Sequence, residues 1–251
     1  MLSSTQQESF AQNGYLLMQS FFPQSQQDEI AQQTEALIQH SAQDMPPEHV
    51  FCESKGDMKT LKQLQHLETY SPFFAELIQK GLLPDLAGSL LGSEVEPRNI
   101  QYFNKPPRTS QPTPPHQDGY YFMLEPCRAV TLWLALDPAT QLTGGVRYVP
   151  GSHRFGLRPH SQTNTLGFSQ GIEAYPNDFE REHETLVPAQ PGDLLAHDAL
   201  TVHRADKNKS TNLQRRALGF IYYDAAAKEN KADHQAYQEA LKDKLRNQGK
   251  I

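Results

Sequence analysis

The sequence predicts a mainly β protein of the α+β kind, an antiparallel sandwich or barrel with helices before it and one helix after it. Three observations predict it. Beyond Pro97, short apolar runs rich in β-branched and aromatic residues alternate with turn signals and carry no helical period. Before Pro97 the apolar residues recur at helical spacing, and Asp233 to Asn247 returns to that spacing through Tyr237, Leu241 and Leu245. The chain reads as one domain spanning 1–251, with a helical part over about 1–96, a β core over about 97–224 and a closing helix over about 230–248.

Taken in order, residues 9–22 read as a short helix, a turn at Gly14 and a short strand. Ser25 is placed to cap the next helix, whose buried face carries Ile30, Thr34, Leu37 and Ile38. Residues 41–60, with Pro46, Pro47 and Gly56, read as loop. Ser71-Pro72 is a helix start with proline at the first position, and Phe73, Phe74, Leu77 and Ile78 supply its apolar face. A further helix runs from Pro84 to Leu91 and stops at Gly92. Strands follow at Ile100 to Phe103, Val130 to Leu136, Val146 to Val149, Leu194 to Ala196, Thr201 to His203 and Ala217 to Tyr223, each bounded by turn chemistry such as Gly144-Gly145, Pro150-Gly151 or Pro191-Gly192-Asp193. Ser152 to Leu186 breaks this rhythm and reads as a lid or binding loop.

The formal net charge of -6 offers nucleic acid no basic footprint. No apolar run approaches the roughly 20 residues that cross a bilayer. The N-terminus lacks the charged and apolar regions of a secretory signal, so the expected compartment is cytoplasmic, with Cys52 and Cys127 as reduced thiols. The expected partners are a small-molecule substrate and O2, with neither nucleic acid nor membrane.

The chemistry concentrates in Pro115-His116-Gln117-Asp118-Gly119. On a strand, residues i and i+2 share a face, so the imidazole of His116 and the carboxylate of Asp118 can reach one cation. A third ligand is then needed. His153, His160, His183 and His234 sit in polar or turn surroundings and are expected to be solvated, whereas His197 and His203 border apolar β-type residues. His203 is also followed by Lys207, Lys209 and the pair Arg215-Arg216, cations that could hold the far carboxylate of a metal-chelating dicarboxylate. Two histidines and a carboxylate with open positions describe a non-haem Fe(II) oxygenase site. A zinc hydrolase and a non-catalytic metal-binding sandwich use the same ligand types and stay open on spacing alone. Tyr120, Tyr121, Phe122 and Met123 are candidates to flank a pocket, with Arg147 and Arg158 nearby.

Three further segments carry a resemblance. Asn104-Lys105-Pro106-Pro107 leads into the His116 motif, Thr143-Gly144-Gly145 leads into Val149-Pro150-Gly151-Ser152-His153, and Leu200-Thr201-Val202-His203 leads through Asn208-Lys209-Ser210 to Arg215-Arg216-Ala217. Together, over about residues 8–224, these resemble the phytanoyl-CoA dioxygenase-like 2-oxoglutarate/Fe(II) oxygenases. The resemblance implies a double-stranded β-helix, or jelly roll, in which His116, Asp118 and His203 hold Fe(II). It implies that Arg215 clamps 2-oxoglutarate, with Arg216 as its rival because adjacent strand residues face opposite ways. It also assigns Gln101, Trp133 and Lys62 to the co-substrate pocket. The implied reaction converts 2-oxoglutarate and O2 to succinate and CO2 while hydroxylating a substrate C–H bond. A carboxylate at 118, in place of the small residue of related halogenases, favours hydroxylation.

Overall fold

In a computed structural model of the chain, residues 2–250 are described. The N-terminal part contains α1 (Ser4–Asn13), β1 (Tyr15–Met18), α2 (Gln24–His40), β2 (Val50–Cys52), β3 (Leu61–Leu64), α3 (Leu67–Tyr70), α4 (Pro72–Gln79) and α5 (Leu82–Leu91). The middle contains β4 (Val95–Asn104), β5 (Thr113–His116), α6 (Gly119–Phe122), β6 (Leu124–Glu125), β7 (Ala129–Ala135) and β8 (Val146–Tyr148). Next come β9 (His160–Thr165), β10 (Phe168–Ile172), α7 (Asp178–His183), β11 (Thr185–Val187), β12 (Leu194–Asp198), β13 (His203–Ala205), β14 (Arg216–Asp224), β15 (Lys228–Glu229) and α8 (Lys231–Asn247).

The caps follow local chemistry. Ser3 and Gln6 form a reciprocal capping box on α1, and Gly14 ends that helix in the left-handed region, where a side chain would be strained. Gly92 ends α5 in the same way, as its position in the sequence predicts. Ser25 does not cap α2. The helix begins at Gln24 behind Pro23, whose fixed φ sets the entry, so Ser25 already lies inside the first turn. The stretch 41–60 is more ordered than a loop, holding β2 and two short 3₁₀ turns, and it leads into β3 at the edge of the main sheet. Short edge strands carry too few residues to show a period of two.

Seven strands pair in the order β1-β12-β7-β14-β4-β3-β2, and four pair in the order β11-β8-β13-β5. Every registered pair is antiparallel. The region 152–186 is not a bare loop either: its β9–β10 ribbon leans on β5. The two large sheets face each other and stay open on one side.

Alternation along the central strands decides what each face of the large sheet does. In β7, Val130, Leu132 and Leu134 enter one core cluster together with Phe74 and Ile78 of α4, Leu83 and Leu86 of α5, and Ile30 and Leu37 of α2. The intervening Trp133 and Ala135 pack instead with Val146 and Tyr148 of the second sheet. Strand β14 divides likewise, with Leu218, Phe220 and Tyr222 toward the helices and Ala217 toward the second sheet. A strand covered on both faces must be apolar throughout, which explains the near-continuous apolar run over 130–136. Its one polar exception, Thr131, points between the sheets at Asp118.

Leu132 is fully buried in the centre of this sandwich. Leu132→Ala should cost about 2–5 kcal/mol of stability. The expected observation is a lower urea midpoint with an unchanged slope, and a midpoint equal to that of the parent protein would contradict this placement of the core.

Candidate active site

Strand register builds the site. His116 at the end of β5 lies directly opposite His203 at the start of β13, and their ring centroids are 4.2 Å apart. Pro114 and Pro115 are tolerated because β5 is the edge strand of its sheet. Each imidazole is fixed by a carbonyl two residues earlier: His116 Nδ1 donates to Pro114 O at 2.8 Å and His203 Nδ1 to Thr201 O at 3.0 Å. Protonation at Nδ1 leaves the Nε2 lone pair of each ring free to ligate.

Asp118 does not continue the strand. Its backbone is already α-helical at φ -58°, ψ -34°, at the entrance to α6. The strand expected over 116–118 is thus replaced by a turn that swings the Asp118 carboxylate back between the two rings. Its two oxygens are used differently. Oδ2 accepts from Thr131 Oγ1 at 2.6 Å and from His197 Nε2 at 3.2 Å. Oδ1 faces His116 Nε2 at 3.4 Å and His203 Nε2 at 3.7 Å. The donor atoms of His116, Asp118 and His203 all lie within 4.8 Å of one another, a group that could hold a metal ion.

Electrostatics suit that use. Burial opposes ionisation of Asp118, but His203, His116 and His197 outweigh it and hold the carboxyl well below its ordinary range. Burial, then the neighbouring His116 and His197, hold the His203 ring well below the usual histidine range, so it is neutral near pH 7. A carboxylate between imidazoles whose Nε2 atoms converge on it offers the donor types that a divalent cation takes.

His197, one of the two strong candidates for third ligand, thus orients the carboxylate from β12. Its Nδ1 meets the Tyr148 hydroxyl at 3.0 Å, and Tyr148 stacks on Tyr15 with ring centroids 4.6 Å apart. Thr131, Tyr148 and Gln117 carried no motif in the sequence. Only the lone polar residue of an otherwise apolar strand could have pointed to Thr131. Gln117 is fully buried and faces away from the triad. Its amide donates to Gly156 O at 2.9 Å and Leu200 O at 2.7 Å and accepts from Arg158 N at 2.8 Å.

A cavity of about 80 Å³ runs from the triad past Trp133 to Arg215, Lys62 and Lys105. Arg215 is 4 % exposed, its guanidinium lies 5.3 Å from the Trp133 ring, and its Nε has no hydrogen-bond partner among the described residues. Burial pulls its pKa down to about 10. Arg216 faces the other way and is committed to Asp137 through two bonds of 2.8 and 2.9 Å. Lys62 Nζ makes no hydrogen bond and lies 3.5 Å from Glu53, while Lys105 Nζ donates to Gln111 O. Gln101 lines the larger neighbouring cavity. Of the other expected site residues, Tyr121 and Phe122 line that larger cavity, whereas Arg147 and Arg158 are paired with carboxylates. Three histidines expected in solvent are not there: His160 is buried and accepts from Gln117 N, His153 is half-buried against Ala11 O, and His234 is half-buried beside Glu229.

A family model described as phytanoyl-CoA dioxygenase matches residues 10–217. The chain belongs to the phytanoyl-CoA dioxygenase family. A probable phytanoyl-CoA dioxygenase of Caenorhabditis elegans is 25% identical over 242 residues, covering 88% of this chain and 75% of that protein. A 1-deoxypentalenic acid 11-beta-hydroxylase of Streptomyces arenae is 36% identical over 120 residues, covering 45% of this chain and 42% of that protein. The crystal structure of EctD from S. alaskensis with bound Fe superposes with a TM-score of 0.74 at 19% identity, covering 89% of this chain and 77% of that one, a likeness of fold. The family assignment makes the chain a non-haem Fe(II), 2-oxoglutarate-dependent dioxygenase. Its residues fit both groups: two free imidazole lone pairs and a carboxylate for the metal, and a buried, unpaired guanidinium for an anion. Among the described residues no helix is long and apolar enough to cross a membrane.

Thr131→Val removes one of the two partners of Asp118 Oδ2 while keeping the volume of the side chain. Metal affinity, titrated with Mn(II) as a redox-silent probe, should fall about 10–100-fold. Unchanged affinity would mean that the threonine does not orient the carboxylate.

Proposed function

We propose that the protein hydroxylates an unactivated C–H bond of a small organic molecule, on a double-stranded β-helix formed by the two facing sheets. The overall reaction balances as substrate, 2-oxoglutarate and O2 giving hydroxylated substrate, succinate and CO2. His116, Asp118 and His203 would hold Fe(II) where β5 pairs with β13. Bound there, the metal with its co-substrate supplies the oxidising power that the side chains lack.

The observation that carries the reading is Arg215. A buried cation without a carboxylate partner costs several kcal/mol unless an anion meets it. Arg215 and the triad line one cavity, so an anion held by Arg215 would be the far end of a molecule whose near end reaches the triad. A dicarboxylate satisfies both ends, and a planar guanidinium takes one carboxylate through two parallel bonds. Trp133 forms a wall of this pocket, and Lys62 adds positive potential. Gln101 lies outside it and acts on the substrate side. A zinc hydrolase would leave Arg215 without a partner.

The remaining work of the chain is positioning. Thr131 and His197 keep Oδ2 of Asp118 occupied, so a single oxygen is presented to the metal. Phe103 and Phe168 line both cavities beside the triad and give its surroundings an apolar wall. Asp118→Ala should abolish succinate release coupled to hydroxylation, and full activity in that variant would remove Asp118 from the ligand set.

Arg215→Met should weaken 2-oxoglutarate binding by at least about 100-fold, a charged bidentate contact being worth roughly 3 kcal/mol. Arg216→Met should leave that binding within a factor of two and lower thermal stability instead. Quenching of Trp133 fluorescence reads both, and the reverse pattern would exchange their roles.

Binding should also depend on pH. Burial, then the positive neighbours Arg215 and Lys62, hold the Lys105 pKa well below the ordinary lysine range, and burial lowers that of Lys62. The bound anion prefers the protonated ammoniums. Affinity should therefore be highest on the acid side of these lowered pKa values and fall as pH rises through them. Lys105→Met should flatten that decline in a binding titration, and an unchanged slope would exclude Lys105 as its source.

A further inference from the structure

Helix α8 lies outside the stretch matched by the family model, which ends at residue 217. It also stands apart from the hydrophobic core. None of its residues belongs to a core cluster among the described residues, although the helix has an apolar stripe. Tyr237, Leu241 and Leu245 recur every four residues and share one face. All three line a cavity of about 560 Å³ that opens onto His116 and Asp118. An amphipathic helix ordinarily buries its stripe in the core; this one turns it toward the space where a substrate must lie.

The attachments of α8 are mostly polar and sit at the rim of that cavity. The Tyr237 hydroxyl bonds to Ser169 on β10, Lys242 pairs with Glu48 and Lys244 Nζ donates to Gln162 Oε1 at 2.9 Å; just past the helix, Lys250 Nζ donates to Asn164 O at 3.2 Å. The helix thus spans from the β9–β10 ribbon to the region before β2 and covers the cavity from above.

The opposite wall is different in kind. Along β4, Asn99, Gln101 and Phe103 share one face, and all three line the cavity. Gln63 Nε2 donates to Gln101 Oε1 at 2.7 Å and Gln101 Nε2 to Asn99 Oδ1 at 3.3 Å. This amide row ends at the Asn99 amide nitrogen, which has no partner among the described residues. Beside the metal edge the lining is aromatic and aliphatic, with Phe103, Phe122 and Ile221.

We propose that α8 is the roof of the substrate cavity and that Tyr237, Leu241 and Leu245 determine which substrates are accepted. The molecule they fit has a hydrocarbon flank, laid against α8, and a hydrogen-bonding edge, read by the amides of Asn99 and Gln101. This assignment rests on the oxygenase reading for its chemistry, but the placement of the roof can be tested without it.

The test uses the full chain. Gln101→Cys puts a thiol on the cavity floor, and its alkylation by N-ethylmaleimide is followed by peptide mass spectrometry. Adding Leu241→Glu and Leu245→Glu places charge in the roof and should speed alkylation at position 101 at least ten-fold, while alkylation of Cys127 is unchanged. Equal rates at position 101 overturn the roof, and so does a parallel rise at Cys127, which would report general unfolding. In the otherwise native chain, Tyr237→Ala and Leu241→Ala are assayed for coupled turnover across a panel of small molecules. They should raise KM for accepted substrates at least ten-fold or admit bulkier ones. A panel profile identical to that of the parent overturns the specificity role. Failure of 2-oxoglutarate to quench Trp133 in the parent would instead remove the oxygenase reading, leaving the roof to be judged by alkylation alone.

Discussion

The site depends on one cross-strand pairing. With His116 opposite His203, two imidazoles meet across the edge of a four-stranded sheet, and a slip of one residue would send one ring to the other face. The bulge between His203 and Ala205 leaves this pairing intact at the one position that needs it. Everything else near the triad restrains those rings or the carboxylate between them. The Nδ1 atoms are tied to the backbone, Asp118 Oδ2 is tied to the large sheet, and the remaining lone pairs converge.

The second constraint is charge without local compensation. Arg215 and Arg216 are neighbours in the chain and opposites in environment. One is shared between Asp137 and Glu35 at a half-buried surface; the other is buried beside Trp133 with its Nε unpaired. Alternation along the strand makes this division unavoidable, because adjacent residues cannot both enter the same cavity. Folding tolerates the buried guanidinium because the large sheet and its helices supply an extensive apolar core, and the guanidinium leaves positive potential inside the cavity.

Much of this was legible in the sequence, and the reasons differ by residue. The His116 and Asp118 pair could be read because the two are two residues apart. Arg215 and His203 could be found through the resemblance, while spacing alone left His197 beside His203 and Arg216 beside Arg215. The supporting residues were not legible, because Thr131, Tyr148 and Gln117 act through contacts with residues 13 to 83 positions away. The helix over 231–247 was readable as a helix but not as a cover, since its stripe looks like any core-facing stripe until the cavity beneath it is seen. The region 152–186 reads as loop in the sequence because β9 is polar on both faces and β10 and β11 are too short to show a period of two.

Gln117 joins pieces of backbone that the sequence keeps far apart: the carbonyls of Gly156 and Leu200 and the amide nitrogen of Arg158 all meet one side chain wedged between two metal-seeking residues. The segment entering the β9–β10 ribbon is thereby pinned to the catalytic edge. Anyone transplanting a different ribbon onto this scaffold to change its appetite would have to graft downstream of residue 158, or the keystone would pull the ironwork out of true.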